Sequence, residues 1–174
     1  EEEAIIINIV RSLLKNIGYE QEIFHWGKVD VIIQLNIQSS DIALGVDATG
    51  AKEEGAGDQG IMFGYATNET MTCMPSCIFY ANLLLQTLLQ DIKIARTGSA
   101  NIDNSDILPL IGPDAKSQVT LKYDASGNPV KVDSVVLSIQ HKEQLPLEDI
   151  KKLVTQYIYR TFPAQMMDKQ SKIF

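Results

Sequence analysis

Ser117 to Tyr123, SQVTLKY, and Val130 to Gln140, VKVDSVVLSIQ, flank the turn Asp124-Ala125-Ser126-Gly127-Asn128. Apolar and polar residues alternate along both flanks, and Asp, Ser, Gly and Asn favour the backbone of a tight reversal, so the stretch predicts a β-hairpin. An amphipathic helix is expected next, at Leu147 to Phe162, with Pro146 just before it and Pro163 just after. Upstream, Pro75 stands near the start of a longer helical pattern through Ile78, Ala81, Leu84, Leu85, Leu88, Leu89 and Ile92, which Gly98 and the polar run Ser99 to Ser105 end. Lys172-Ile173-Phe174 reads as the start of another strand. Helices alternating with a hairpin point to an α+β fold, with helices covering one face of a mainly antiparallel sheet.

The N-terminal third reads less evenly. Glu1 to Ile17 predicts a core-facing amphipathic helix, with Ile6, Ile9, Val10, Leu13, Leu14 and Ile17 at spacings of three and four, acidic residues in the first turn and Gly18 as a stop. From Val29 to Ile37 every odd position is apolar, the pattern of a half-buried strand. Gln38 to Gly60 is rich in glycine and acidic residues and has no hydrophobic period; a connection of that length is usually functional or disordered. The absence of an initial Met and the abrupt ends lead us to expect a piece of a longer protein.

Composition excludes several classes. With 174 residues, 45% hydrophobic, the chain can bury a sizeable core. A net charge of −7 without a cluster of Lys or Arg gives no footprint for nucleic acid. No apolar run approaches the ~20 residues of a membrane span. Cys73 and Cys77 are too few for a disulfide framework and lack partners for a zinc site, so buried small side chains and a cytoplasmic setting are expected. His25 and His141 have no nucleophile motif beside them and read as packing or hydrogen-bonding residues.

Two short stretches can carry chemistry. Gly55-Ala56-Gly57-Asp58-Gln59-Gly60 sets three glycines around one carboxylate, which allows close backbone approach to a ligand. It is neither a P-loop nor a dinucleotide fingerprint, and a tight structural turn is an equal reading. In Pro113-Asp114-Ala115-Lys116-Ser117-Gln118-Val119, the acid and the base two residues apart share one side of an extended backbone. Lys116 there can meet phosphate or carboxylate and Asp114 a ribose hydroxyl or an amine; a surface ion pair is the competing reading.

Taken together, GAGDQGIMFGYATNET, Gly55 to Thr70, and DAKSQV, Asp114 to Val119, resemble the S-adenosylmethionine synthetase family nearly residue for residue. Gln38 to Ile42, Gly45 to Asp47, Val135 to Ser138 and Gln140-His141 add to the likeness, which runs the length of the chain. The resemblance implies residues 1–38 as the C-terminal part of a first domain, 39–54 as a mobile gating loop and 55–174 as a central domain. The fold implied is one of three similar α+β units around a pseudo-threefold axis.

The activity implied is transfer of the adenosyl group of ATP to the sulfur of L-methionine, with release of phosphate and pyrophosphate. A thioether has no proton to lose, so in-line positioning and stabilisation of the leaving triphosphate carry the first step. By family pattern, Gln38 and Asp58 bind methionine, Asp114, Ala115 and Lys116 bind ATP, and Lys116 and Asp58 are the catalytic candidates. Mg2+ and K+ are implied as cofactors, with ligands largely outside this chain, and a homodimer or dimer of dimers as the assembly. The family's His-Pro-Asp motif would lie upstream of Glu1, and its adenine-stacking Phe and glycine-rich lysine motifs beyond Phe174. Gly112 stands where the family has Arg, Leu110 where it has Trp and Asn82 where it has His, and Arg96 to Ile107 reads as expanded. A non-catalytic remnant or accessory module of the same fold is the alternative.

Overall fold

The computed structural model describes residues 2–50, 53–98 and 102–174. Ser99 to Asn101, within the expanded stretch, Ala51 and Lys52 of the gating loop, and Glu1 lie outside the described residues. Four helices, α1 (Glu2–Ile17), α2 (Ser40–Val46), α3 (Ser76–Arg96) and α4 (Leu147–Thr161), accompany strands β1 (Ile111–Tyr123), β2 (Pro129–His141) and β3 (Lys172–Ile173). The sheet order is β1-β2-β3; β1 and β2 are antiparallel and β3 runs parallel to β2.

The hairpin closes at the expected turn. The Asp124 carboxylate accepts the backbone N–H groups of Ser126 and Asn128 at 2.9 and 2.8 Å, and Gly127 takes the positive φ of 81° that the reversal needs. These donors hold the Asp124 carboxyl below the ordinary range, with the Asn128 backbone N–H the largest cause. On β1, Val119 and Leu121 are buried while Lys116, Gln118 and Thr120 are exposed, and the Ser117 hydroxyl donates to the carbonyl of Ala81 in α3 at 2.7 Å. One face of the strand is therefore fixed against α3.

On β2 the inward residues change parity. Val135 and Leu137 are buried at odd positions and Val132 at an even one, because Asp133 is an extra residue between the pairs Thr120↔Ser134 and Leu121↔Val132. That bulge restores inward packing after the shift and leaves Asp133 to pair with Lys122 at 3.1 Å.

Helix α3 contributes Ala81, Leu84, Leu88, Ile92 and Ala95 to the core, and α4 contributes Ile150, Leu153, Val154, Tyr157 and Ile158. Both sets repeat at three and four residues, which places them on single helical stripes. Between the helices Asp91, buried at 5% exposure, accepts the Tyr157 hydroxyl at 2.7 Å and pairs with Arg160. Burial first, and then the Asp91 carboxylate, push the Tyr157 hydroxyl above its ordinary pKa.

Several expectations for the N-terminal segment need correction. Helix α1 forms, but it buries no residue: Ile5, Ile9 and Leu13 are 58%, 62% and 57% exposed. Val29 to Ile37 is not a strand. Its alternation survives as half-buried Val29, Val31 and Ile33 against exposed Asp30, Ile32 and Gln34, yet no neighbouring strand among the described residues supplies hydrogen bonds to it. Within the glycine-rich stretch, Ser40–Val46 is a helix. Cys73 is exposed, with φ of 59°, and Cys77 is half-buried beside the Tyr123 hydroxyl, so neither is the buried small side chain expected. Among the described residues no helix is long and apolar enough to cross a membrane.

Replacing Tyr157 by Phe removes the uncharged donor to Asp91 while keeping the ring. We expect a loss of about 1.5–3 kcal/mol in urea unfolding, the value of a hydrogen bond to a charged acceptor; an unchanged midpoint would show that the contact adds nothing.

Candidate functional site

Asp114, Ala115 and Lys116 enter the sheet through an irregularity. Ile111 pairs with His141 and Ala115 with Ile139, so between these pairs β1 has three residues, Gly112-Pro113-Asp114, where β2 has one, Gln140. Proline has no N–H to give to a ladder, which suits it to such an interruption. Beyond it, Asp114 and Lys116 are both exposed while Ala115 and Ser117 are half-buried, so the acid and the base do share a side. No ion pair joins them among the described residues, which removes the surface ion pair as the reason for their spacing.

The bulge is held at both ends. Arg96, in the last turn of α3, donates to the Ile111 carbonyl at 2.9 Å, and its guanidinium fills the space where a side chain at Gly18 would stand. Gly18 is required by its φ of 104°, and Arg96 uses the room it leaves. On the other side the Gln140 amide oxygen accepts the Asp114 N–H at 3.4 Å, and its side chain occupies the position of a Cβ at Gly112.

The second group of candidates lies on the segments flanking α2. Gln38 is exposed just before the helix, and Asp58 is exposed after it, its Oδ1 accepting the N–H of Gln59 at 2.7 Å. The glycine turn folds back on α2: the Gly55 N–H donates to the Val46 carbonyl at 2.9 Å, and Gly57 lies against the side chains of Val46 and Ile42. A Cβ at Gly55 would strike the Gly45 carbonyl, which gives that glycine a close-approach role. Among the described residues, no hydrogen bond or ion pair links Gln38 or Asp58 to Asp114 or Lys116. No group of three His, Cys, Asp or Glu among the described residues is placed to hold a metal ion.

His25 behaves as expected: its Nδ1 accepts the Gly27 N–H at 3.0 Å and its ring stacks on Trp26. Sequence reasoning missed Glu69, near the end of the signature stretch. Its Oε2 accepts the Ser76 N–H at 2.9 Å, capping α3 from seven residues upstream, and the Tyr123 hydroxyl at 2.8 Å. Helix α3 has Pro75 at its N-cap and no capping side chain there, so an external carboxylate satisfies the orphan donor and meets the positive end of the helix. The only signal in the sequence is an acid preceding a helix whose own cap residue cannot accept.

A hairpin packed on α3, with α4 against α3 and a bulge at the charged strand entrance, defines an α+β domain. Comparison with known proteins gives the particular family. Residues 53–174 match the family described as S-adenosylmethionine synthetase, central domain. The chain is 51% identical over 156 residues to the S-adenosylmethionine synthase of Methylobacterium radiotolerans, covering 89% of this chain and 37% of that protein. With the synthase of Granulibacter bethesdensis it is 44% identical over 170 residues, covering 98% of this chain and 40% of the relative. The solved structure of an unusual S-adenosylmethionine synthetase from Campylobacter jejuni superposes with a TM-score of 0.68 at 31% identity, over 97% of this chain and 41% of that one. The chain belongs to the S-adenosylmethionine synthetase family, and it spans about two fifths of the length of these relatives.

The Ser76 N–H first, and then the Tyr123 hydroxyl, hold the Glu69 carboxyl below the ordinary glutamate value. A pKa depressed by folding stabilises the protein above the unfolded value, and that contribution is lost as pH falls through the folded one. Glu69→Gln is therefore expected to lower the melting temperature at neutral pH, with the gap to the parent closing as pH falls below ~4. A gap independent of pH would assign the effect to shape and not to charge.

Proposed function

We propose that this chain is the gate and central-domain segment of a methionine adenosyltransferase, which joins L-methionine to the adenosyl group of ATP. The methionine sulfur lone pair forms a bond to C5′ of ATP, and the C5′–O bond breaks with its electron pair leaving on the triphosphate. The sulfur becomes a sulfonium and no proton moves. Hydrolysis of the triphosphate to pyrophosphate and phosphate follows.

In this reading Lys116 meets the departing polyanion, whose charge rises as the C–O bond opens, while Asp114 and Ala115 orient the nucleotide beside it. Asp58 faces the ammonium of methionine, and Gln38 holds the amino acid at the base of the gate formed by α2 and its flanks. Mg2+, when bound, would neutralise charge on the phosphates and K+ would order the site; no cluster of His, Cys, Asp or Glu among the described residues offers either a ligand set. The enzyme works as a homodimer or dimer of dimers in the cytoplasm.

The observation that carries the reading is Lys116 within a family-matching DAKSQV run, facing solvent without an ion-pair partner among the described residues. A lysine with a free ammonium at a strand entrance is available to a phosphate.

Two outcomes are expected. The isolated 174-residue chain forms no S-adenosylmethionine from ATP, methionine and magnesium, because one lysine cannot stabilise a triphosphate leaving group; measurable product would contradict this. In an intact enzyme containing this segment, Lys116→Ala lowers turnover by at least ~10²-fold, as loss of one preorganised electrostatic contact does. A near-normal rate would return Lys116 to a structural role.

A further inference from the structure

Gln140 lies outside the residues that the family pattern assigns to substrates, yet three features of the bulge converge on it. Its side chain fills the volume that any side chain at Gly112 would need. Its Oε1 accepts the Asp114 N–H at 3.4 Å, the first backbone donor after Pro113. The same oxygen accepts from Nε2 of Gln21, also at 3.4 Å, and Gln21 belongs to the N-terminal segment. Just beyond it in β2, His141 pairs with Ile111, and the Lys142 N–H donates to the Leu110 carbonyl at 3.0 Å.

Each bond from Oε1 is long and weak alone, and Gln140 is exposed, so the two contacts act only together with the room left at Gly112. The excess residues of β1 need something to stand in for the missing ladder partner. A glutamine amide fitted into the gap left by a glycine does this only while position 112 lacks a Cβ. Gly112 is not at positive φ, so its backbone conformation is open to any residue, and the room it leaves is what the Gln140 amide takes; a side chain at 112 would push that amide aside.

We propose that Gln140 is a positioning residue: with Gly112 it latches the β1 bulge, sets the direction in which Asp114 and Lys116 leave the strand, and ties that direction to the docking of the N-terminal segment through Gln21. The proposal rests on the nucleotide reading of Lys116. In the intact site it makes the fit to the triphosphate depend on a residue that touches neither substrate.

The test compares the 174-residue chain with three variants by NMR. Gln140→Met keeps length and removes the acceptor, Gly112→Ala keeps the acceptor and evicts it, and Gln140→Glu keeps an acceptor in place. Amide exchange at Asp114 is expected to become several-fold faster in the first two and to return toward the parent rate in the third. Exchange at Val119 and Val135, in the packed part of the hairpin, stays unchanged, as does the melting temperature. Titration with MgATP, read at the Lys116 side chain, shows a weaker response in Gln140→Met and Gly112→Ala than in the parent. Unchanged Asp114 exchange in both variants overturns the latch. A parent chain whose Lys116 signal ignores MgATP overturns the nucleotide reading, and the positioning role with it, even where Asp114 exchange follows the latch.

Discussion

The inward packing of one face of β1 against α3 is the constraint on which the site depends. Val119 and Leu121 sit in the core and Ser117 is hydrogen-bonded to the Ala81 carbonyl, so the odd positions of the strand have one place to go. Side chains alternate along a strand, and the even positions are therefore committed to the opposite face. Lys116 is exposed because Ser117 and Val119 are not. A slip of one residue would bury the ammonium beneath α3 and turn the core residues to water. The cost of burying an unpaired charge makes that alternative far less stable than the observed register.

Two of the hairpin's three register shifts adjust this scheme. Near the turn, Asp133 absorbs the change of parity so that both Val132 and Val135 remain buried. At the strand entrance, Gly112-Pro113-Asp114 departs from the ladder, held by Arg96 on one side and Gln140 on the other. The buried core is drawn entirely from residues 81–166. The earlier described residues contribute none of it: Ile61, Met62 and Phe63 of the signature stretch are 84%, 93% and 95% exposed, more open still than Ile5, Ile9 and Leu13 on α1. The two parts therefore have different sources of order, one a packed core and the other a few contacts such as that of Gly18 with Arg96.

What could be read from the sequence follows from how local each signal is. The hairpin, α4 and most of α3 were legible, since their periodicity and their Pro and Gly boundaries are properties of neighbouring residues. The parity change in β2 was visible in principle, with Val130 and Val132 followed by Val135, Leu137 and Ile139. Non-local facts were not legible. Val29 to Ile37 carries the alternation of a strand, but strand formation is decided by a partner, and α1 has the stripe of a core helix without a core to meet. The common side of Asp114 and Lys116 followed from strand geometry alone, whereas the parts of Gln140, Arg96 and Glu69 depend on residues 26, 15 and 7 positions away.

The most direct measurement is lysine reactivity in the intact enzyme, comparing Lys116 with Lys122 on the same exposed face of β1. Lys122 is engaged by Asp133, while Lys116 has no carboxylate partner among the described residues. Brief acylation followed by mass spectrometry should show Lys116 shielded when MgATP is present and Lys122 labelled equally with or without it. Equal labelling of Lys116 in both conditions would mean that the outward register of β1 does not serve the nucleotide.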